Sequence, residues 1–263
     1  MSALLGSLLT AVMMLCPAVG CGDFEAGAER APHRPVAQAL AGKVIVLDAG
    51  HQLGNHNFPA EINRPVPAGG FTKPCNTTGT STNGGYPEAT FAWDVTVRLK
   101  AKLEKAGATV VLTRKSNRED RWGPCVDVRG RKGNTLRSGG HADLKISIHG
   151  DGSLSSGAHG FHVIYPSDRA PWTDDIYKPS RRLAKVTKNA LLKKGFSVAN
   201  YIAGGDGLDV RSDLGTLNLS DVPVVMLEAG NMRDSGDAGV MTSAKGQARY
   251  ARALALAVRT YLG

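Results

Sequence analysis

Three apolar runs in this chain each end beside a glycine, in a side chain able to bind a metal or carry a proton. They read Val44-Ile45-Val46-Leu47-Asp48-Ala49-Gly50-His51, Leu144-Lys145-Ile146-Ser147-Ile148-His149-Gly150-Asp151 and Val224-Val225-Met226-Leu227-Glu228-Ala229-Gly230-Asn231. Helical patterns separate them, so they are expected to be strands of one α/β sheet. If they run parallel, their C-terminal ends share one edge, where open α/β sheets place ligands. His51, His149 and Glu228, far apart in the chain, would then converge. Two imidazoles and a carboxylate in one crevice are the groups of a zinc hydrolase.

With 42% hydrophobic and 21% charged residues among 263, the chain can bury a core as one domain or at most two. Residues 1–28 are expected to be an export signal. They contain no Lys or Arg, and their apolar run from Ala3 to Val19 is broken by Gly6, Ser7, Thr10 and Pro17, which is weak for a stable membrane span. The basic start usual for such signals is missing. Ala26-Gly27-Ala28 has the small-x-small form of a cleavage point, and Ala18-Val19-Gly20-Cys21 resembles a degenerate lipoprotein box, with Cys21 as the residue that would carry the lipid. Location in the periplasm or cell wall follows, with a lipid anchor through Cys21 as an alternative to a free form.

Two cysteines, Cys75 and Cys125, remain beyond the leader. An even pair in an exported protein is expected to form a disulfide. The formal charge is +9, and the leader holds two of the 23 acidic residues and none of the 32 basic ones. An exported protein of this charge calls for an anionic partner such as a cell-wall polymer. Nucleic acid is not expected, because the basic residues are scattered with few aromatics among them.

Residues 29–42, with Pro32 and Pro35, read as a linker, and residues 43–263 as one catalytic domain of three layers: a mixed, mostly parallel sheet flanked by helices. The first strand is expected at 43–48. The polar stretch 52–86 is long for a loop inside a domain and is expected to wall the site, tied down through Cys75. Helices are expected over 87–105, 124–138 (weakened by Gly130 and Gly133), from Ser180 as N-cap to Gly195, and 244–262. Further strands are expected at 109–113, 143–149, 160–165 and 222–228.

The strand-end motifs, together with Glu88 opening a helix behind Pro87, resemble the zinc-dependent N-acetylmuramoyl-L-alanine amidases of the Amidase_3 type, in particular the compact single-domain mycobacterial-type enzymes. The resemblance runs from about residue 43 to 262. It implies a monozinc hydrolase in which His51, Glu88 and His149 hold one Zn2+ and Glu228 is the catalytic acid/base. The substrate would be peptidoglycan or its muropeptide fragments, cleaved between the lactyl group of N-acetylmuramic acid and L-alanine. Two neutral imidazoles and one carboxylate leave a position open for water, as catalytic zinc sites do. Arg129 and Asn134 resemble an element that packs beneath the family's site.

Other residues carry weaker signals. Asp48 and Asp151 are candidates for orienting a ligand imidazole. Arg211 and His56 are candidate substrate contacts, while His33, His141, His159 and His162 read as surface or structural. A carboxypeptidase acting within the stem peptide would need the same metal chemistry, and a silent wall-binding protein would not need Glu228. A monomer is the default expectation.

Overall fold

Side-chain alternation along the strands separates an apolar sheet face from a chemically active one. The computed structural model describes residues 38–263. The expected signal and most of the expected linker lie outside them.

Six strands form the central sheet: β1 (Val44–Ala49), β4 (Thr109–Leu112), β5 (Leu144–Asp151), β6 (His162–Pro166), β7 (Leu208–Arg211) and β8 (Val224–Asn231), in the order β4-β1-β5-β8-β6-β7. All neighbours run parallel except β6 and β8, which are antiparallel. The expected mixed, mostly parallel sheet is therefore present, and the C-terminal ends of β1, β5 and β8 lie side by side.

On one face, Ile45, Leu47, Ile146, Ile148, Val225 and Leu227 pack into the main core. Helices α2 (Glu88–Lys105), α4 (Tyr177–Lys193) and α7 (Ala244–Leu262) cover it. Phe91, Val95, Leu99 and Leu103 of α2 recur at helical spacing and are fully buried there. Each such side chain stabilises the fold by about 1.5–3 kcal/mol through burial. Leu40, at the end of the expected linker, also joins this core.

The opposite face carries Asp48, Lys145, Ser147, His149 and Glu228 at alternate positions, with a smaller apolar cluster of Ile164, Ile176, Leu217, Val224 and Met226. Short helices α3 (Val126–Arg131) and α5 (Gly215–Asn218) pack against each other over this face. Lys145 is fully buried, and its Nζ donates to the carbonyls of Gly130 and Arg129 at the end of α3. Burial pushes its pKa down to about 7 against the opposing pull of Asp48 and Asp221.

Several boundaries differ from expectation for local reasons. The polar stretch 52–86 is not a plain loop. It contains a 3-10 turn (Leu53–Asn57), α1 (Pro59–Asn63) and a hairpin of β2 (Pro65–Pro67) and β3 (Thr72–Pro74). The helix expected over 124–138 ends at Arg131, because Gly133 turns the chain at φ +94, where a Cβ would lie 2.5 Å from Val46 Cγ2. Ser180 is not an N-cap. It sits inside α4, and its Oγ accepts from the Val224 N–H (3.0 Å), joining the helix to β8. The short elements β7, α5 and α6 (Ser235–Thr242) have no counterpart among the expected ones, the last being capped by Asp234 accepting from Asp237 N–H.

Cys75 and Cys125 are bonded across a separation of 50 residues, and both are buried beside Val66. Closing a loop of this size restricts the unfolded chain by about 4 kcal/mol. The Cys75→Ser/Cys125→Ser double variant is expected to lose roughly that much in urea unfolding. A loss below about 1 kcal/mol would show that the bond does little for global stability.

Candidate active site

The end of β1 is held by two buried arginines. Arg129 Nη1 donates to Asp48 Oδ1 (2.6 Å) and Ala49 O (2.7 Å), and its Nη2 to His51 O (2.6 Å). Asp48 also accepts from Thr113 Oγ1 (2.6 Å) and Ser147 Oγ (2.6 Å). Burial alone would raise the Asp48 pKa, but Arg129 and these hydrogen bonds outweigh it and hold the carboxyl well below the usual carboxylate range. Arg114 donates from Nε to Ala49 O (3.0 Å) and from Nη2 to Gly50 O (3.2 Å) and Ala89 O (2.7 Å). One guanidinium thus ties the residue before His51 to the residue after Glu88. Burial pushes its pKa down to about 9, so it stays charged at neutral pH. No sequence motif announced Arg114; only a basic residue two positions after β4 marks it.

Between these anchors His51 adopts φ +51, a left-handed conformation uncommon for a residue with a side chain. Its Nδ1 donates to Thr77 O (3.0 Å), which leaves Nε2 facing Glu88 Oε1 at 3.1 Å. His149 Nδ1 lies 2.8 Å from the same Glu88 oxygen. Glu88 is the first residue of α2, and its Oε2 accepts from Thr80 N–H (2.9 Å). His51, Glu88 and His149 each offer one donor atom, and these atoms lie within 4.8 Å of one another. The His51 and His149 imidazoles hold the Glu88 carboxyl well below its ordinary pKa despite burial.

This cluster fits a metal ion on its own geometry. A tautomer fixed by a backbone carbonyl turns the other ring nitrogen of His51 inward, as metal-binding histidines require. Two glycines make the room. A Cβ at Gly50 would lie 2.5 Å from His149 Cε1, and one at Gly79 would lie 2.8 Å from Glu88 Oε2 and from His51 Cδ2.

Glu228 stands beside His149 in the register of β5 and β8. Its Oε2 is buried without a hydrogen-bond partner. Burial, and then the negative charges of Glu88 and Asp151, raise its pKa well above the carboxylate range. His51, Glu88, His149 and Glu228 line one cavity of about 370 Å³, together with Lys73, Thr77, Thr80, Asp151 and Thr216. The stretch 52–86 therefore contributes a wall, as expected, through its second half.

The remaining candidates are placed elsewhere. Asp151 lines the cavity and accepts from Tyr201 Oη (2.8 Å) rather than from a ligand imidazole. Asp48 reaches the site through Arg129. Asn134 donates to Leu219 O (2.9 Å) and braces α5. Arg211 forms a two-point pair with Asp213 (2.7 and 2.8 Å), and His56 lies 3.3 Å from Glu119 on the surface; neither lines the cavity. The lining threonines and Lys73 were invisible in sequence because only the hairpin and the Thr77–Thr80 segment bring them inward.

Three variants test this geometry. Arg129→Met strands the Asp48 charge in the interior and is expected to cost about 3–5 kcal/mol. The stability that Asp48 contributes is complete above its ordinary value of 3.8 and is lost as pH falls through its lower folded value. Asp48→Asn should therefore flatten the acid limb of a stability–pH curve, and an unchanged limb would refute the assignment. Gly50→Ala should displace the His149 ring and weaken metal binding on the order of 10–100-fold by calorimetry, with the circular dichroism spectrum unchanged.

Comparison with known proteins identifies a family. A family model described as N-acetylmuramoyl-L-alanine amidase, Amidase_3, matches residues 45–260. The N-acetylmuramoyl-L-alanine amidase Rv3717 of Mycobacterium tuberculosis is 42% identical over 225 residues, covering 85% of this chain and 88% of its own. The crystal structure of the amidase Ami1 from Mycobacterium smegmatis superposes with a TM-score of 0.77 at 38% identity, over 85% of this chain and 98% of that one. The apo form of Ami1 from Mycobacterium abscessus gives 0.76 at 39% identity, over 85% and 100%. The chain belongs to the Amidase_3 family of N-acetylmuramoyl-L-alanine amidases.

Proposed function

We propose that this protein hydrolyses the amide between the lactyl group of N-acetylmuramic acid and the L-alanine of a peptidoglycan stem peptide, with one Zn2+ held by His51, Glu88 and His149. The observation that supports this most is the pairing of a three-donor cluster with an unpartnered carboxylate oxygen in the same cavity. Zinc bound there would supply Lewis acidity, acidifying a water and stabilising negative charge on the attacked carbonyl oxygen.

The protein's own groups account for the rest. Glu228 takes the proton of the attacking water as the new C–O bond forms. It then returns that proton to the L-alanine nitrogen as the C–N bond breaks, leaving a carboxylic acid and a free amine. A carboxyl group whose proton affinity is raised by burial and by two neighbouring acids is suited to both transfers. Arg114 and Arg129 hold the backbone of residues 49–51, so the first imidazole is oriented before substrate arrives.

The same reading makes peptidoglycan or muropeptide fragments the partner and the protein a monomer. It places the protein in the periplasm or cell wall, either free or lipid-anchored at Cys21. No described helix is long and apolar enough to cross a membrane.

Zinc-loaded protein incubated with purified peptidoglycan should release intact stem peptides beginning at L-alanine, identified by mass spectrometry, and a chelator should abolish the release. Cleavage inside the stem peptide would replace this reading with a carboxypeptidase. Glu228→Gln should lower kcat by about 10²–10⁴-fold while keeping stoichiometric zinc. Full activity in that variant would remove Glu228 from the mechanism.

A further inference from the structure

The positive charge of this protein is concentrated on one side. Helix α4 carries six Lys or Arg and no Asp or Glu. Helix α7, packed beside it, carries four and none. The two helices together therefore hold more positive charge than the whole chain's net +9. Among the described residues, none of these cations has an ion-pair partner. Both helices cover the apolar face of the sheet, whereas His149 and Glu228 project from the other.

One face of α4 carries Arg181, Lys185, Lys188 and Leu192, spaced four, three and four residues apart, with Lys178 one turn earlier; all but Lys188 are exposed, and Lys188 is half-buried with its Nζ donating to Asp206 O (3.1 Å). Leu192 is 45% exposed in the middle of that arc, although the other leucines at positions 183 and 191 are fully buried. Beside the stripe lies a groove of about 560 Å³ lined by Arg181, Lys185, Lys188 and Asn189. The acids on its far wall are already engaged. Asp206 accepts from Leu208 N–H (2.8 Å), and Asp209 lies 3.6 Å from Arg211.

We infer that the α4–α7 layer docks on an anionic lipid bilayer. A basic helical face with an apolar side chain among its cations suits lipid headgroups: long Lys and Arg side chains reach phosphates while the leucine enters the acyl boundary. A soluble polyanion would use the cations alone and leave Leu192 in water. Docking by this layer would turn the catalytic cavity away from the bilayer, toward wall polymer. That consequence rests on the proposed function, whereas lipid binding itself does not.

The test is co-sedimentation of the full chain with vesicles of phosphatidylcholine alone or with one third phosphatidylglycerol, at low and high salt. Neutral vesicles report any contribution of the N-terminal segment, which is common to all variants. Anionic vesicles should bind the protein, with binding weakened by salt. The Lys178→Gln/Arg181→Gln/Lys185→Gln variant should lose about 100-fold in partitioning, at roughly one cation's worth of surface attraction per substitution. Leu192→Ser should lose a further few-fold. A control with the same loss of charge, Lys115→Gln/Lys132→Gln/Arg137→Gln, should bind like the parent. Equal loss in the control would reduce the effect to net charge and overturn the inference. So would parent-level binding of Leu192→Ser together with full displacement by soluble polyglycerol phosphate, which would assign the stripe to a phosphodiester polymer. Release of L-alanine peptides from soluble muropeptides should be unchanged in every variant, so failure of the amidase reading is read separately.

Discussion

The buried ion pair between Asp48 and Arg129 is the interaction on which the site depends. Taking two charges out of water is costly, and such a pair persists only when its remaining hydrogen-bonding capacity is filled. Here it is filled by Ser147 and Thr113 on the carboxylate and by the carbonyls of Ala49, His51 and Pro124 on the guanidinium. The pair thereby locks the end of β1 to α3 and to β5. That locking allows His51 to keep a backbone conformation that costs of order 1–3 kcal/mol and turns its ring toward Glu88.

Two glutamates in one cavity are pushed in opposite directions. Glu88 lies between two imidazoles and is held in its ionised form, the form that can bind a metal. Glu228, with no cation in contact and two acids nearby, is pushed toward its protonated form. Separation of proton affinities between neighbouring carboxyls is how one site assigns one group to binding and another to proton transfer. The separation follows from strand register. Glu228 is opposite His149 on β8, while Glu88 enters from the start of a helix and reaches both rings.

The sheet also divides the protein's electrostatics. Its apolar face is sealed by helices whose outer sides carry most of the net positive charge, and its other face holds the Asp48–Arg129 pair and the His51–Glu88–His149 cluster. Two of these cations lay their guanidinium groups over aromatic rings of the apolar layer. Arg182 lies 3.8 Å from the Tyr261 ring, and Arg249 lies 4.2 Å from Phe196.

The chain by itself determined the parallel strands β1, β5 and β8, because uninterrupted apolar runs bounded by glycines have few other stable arrangements. It also determined that His51, His149 and Glu228 meet, since each follows such a run, and motif resemblance added Glu88. What the tertiary structure decided is everything set by contacts distant in sequence. Arg114 became a clamp because it lies next to both Gly50 and Ala89 in space and to neither in the chain. Lys145, hidden in an apolar run, is tolerated because the end of α3 supplies carbonyls for it. Ser180 looks like a cap locally, yet β8 claims its hydroxyl. Arg211 and His56 were candidates for substrate, and the fold places them beside Asp213 and Glu119, outside the lining of the cavity. Local pattern carries periodicity and strand ends, whereas the partner of a polar side chain is chosen by whichever group the fold brings within reach.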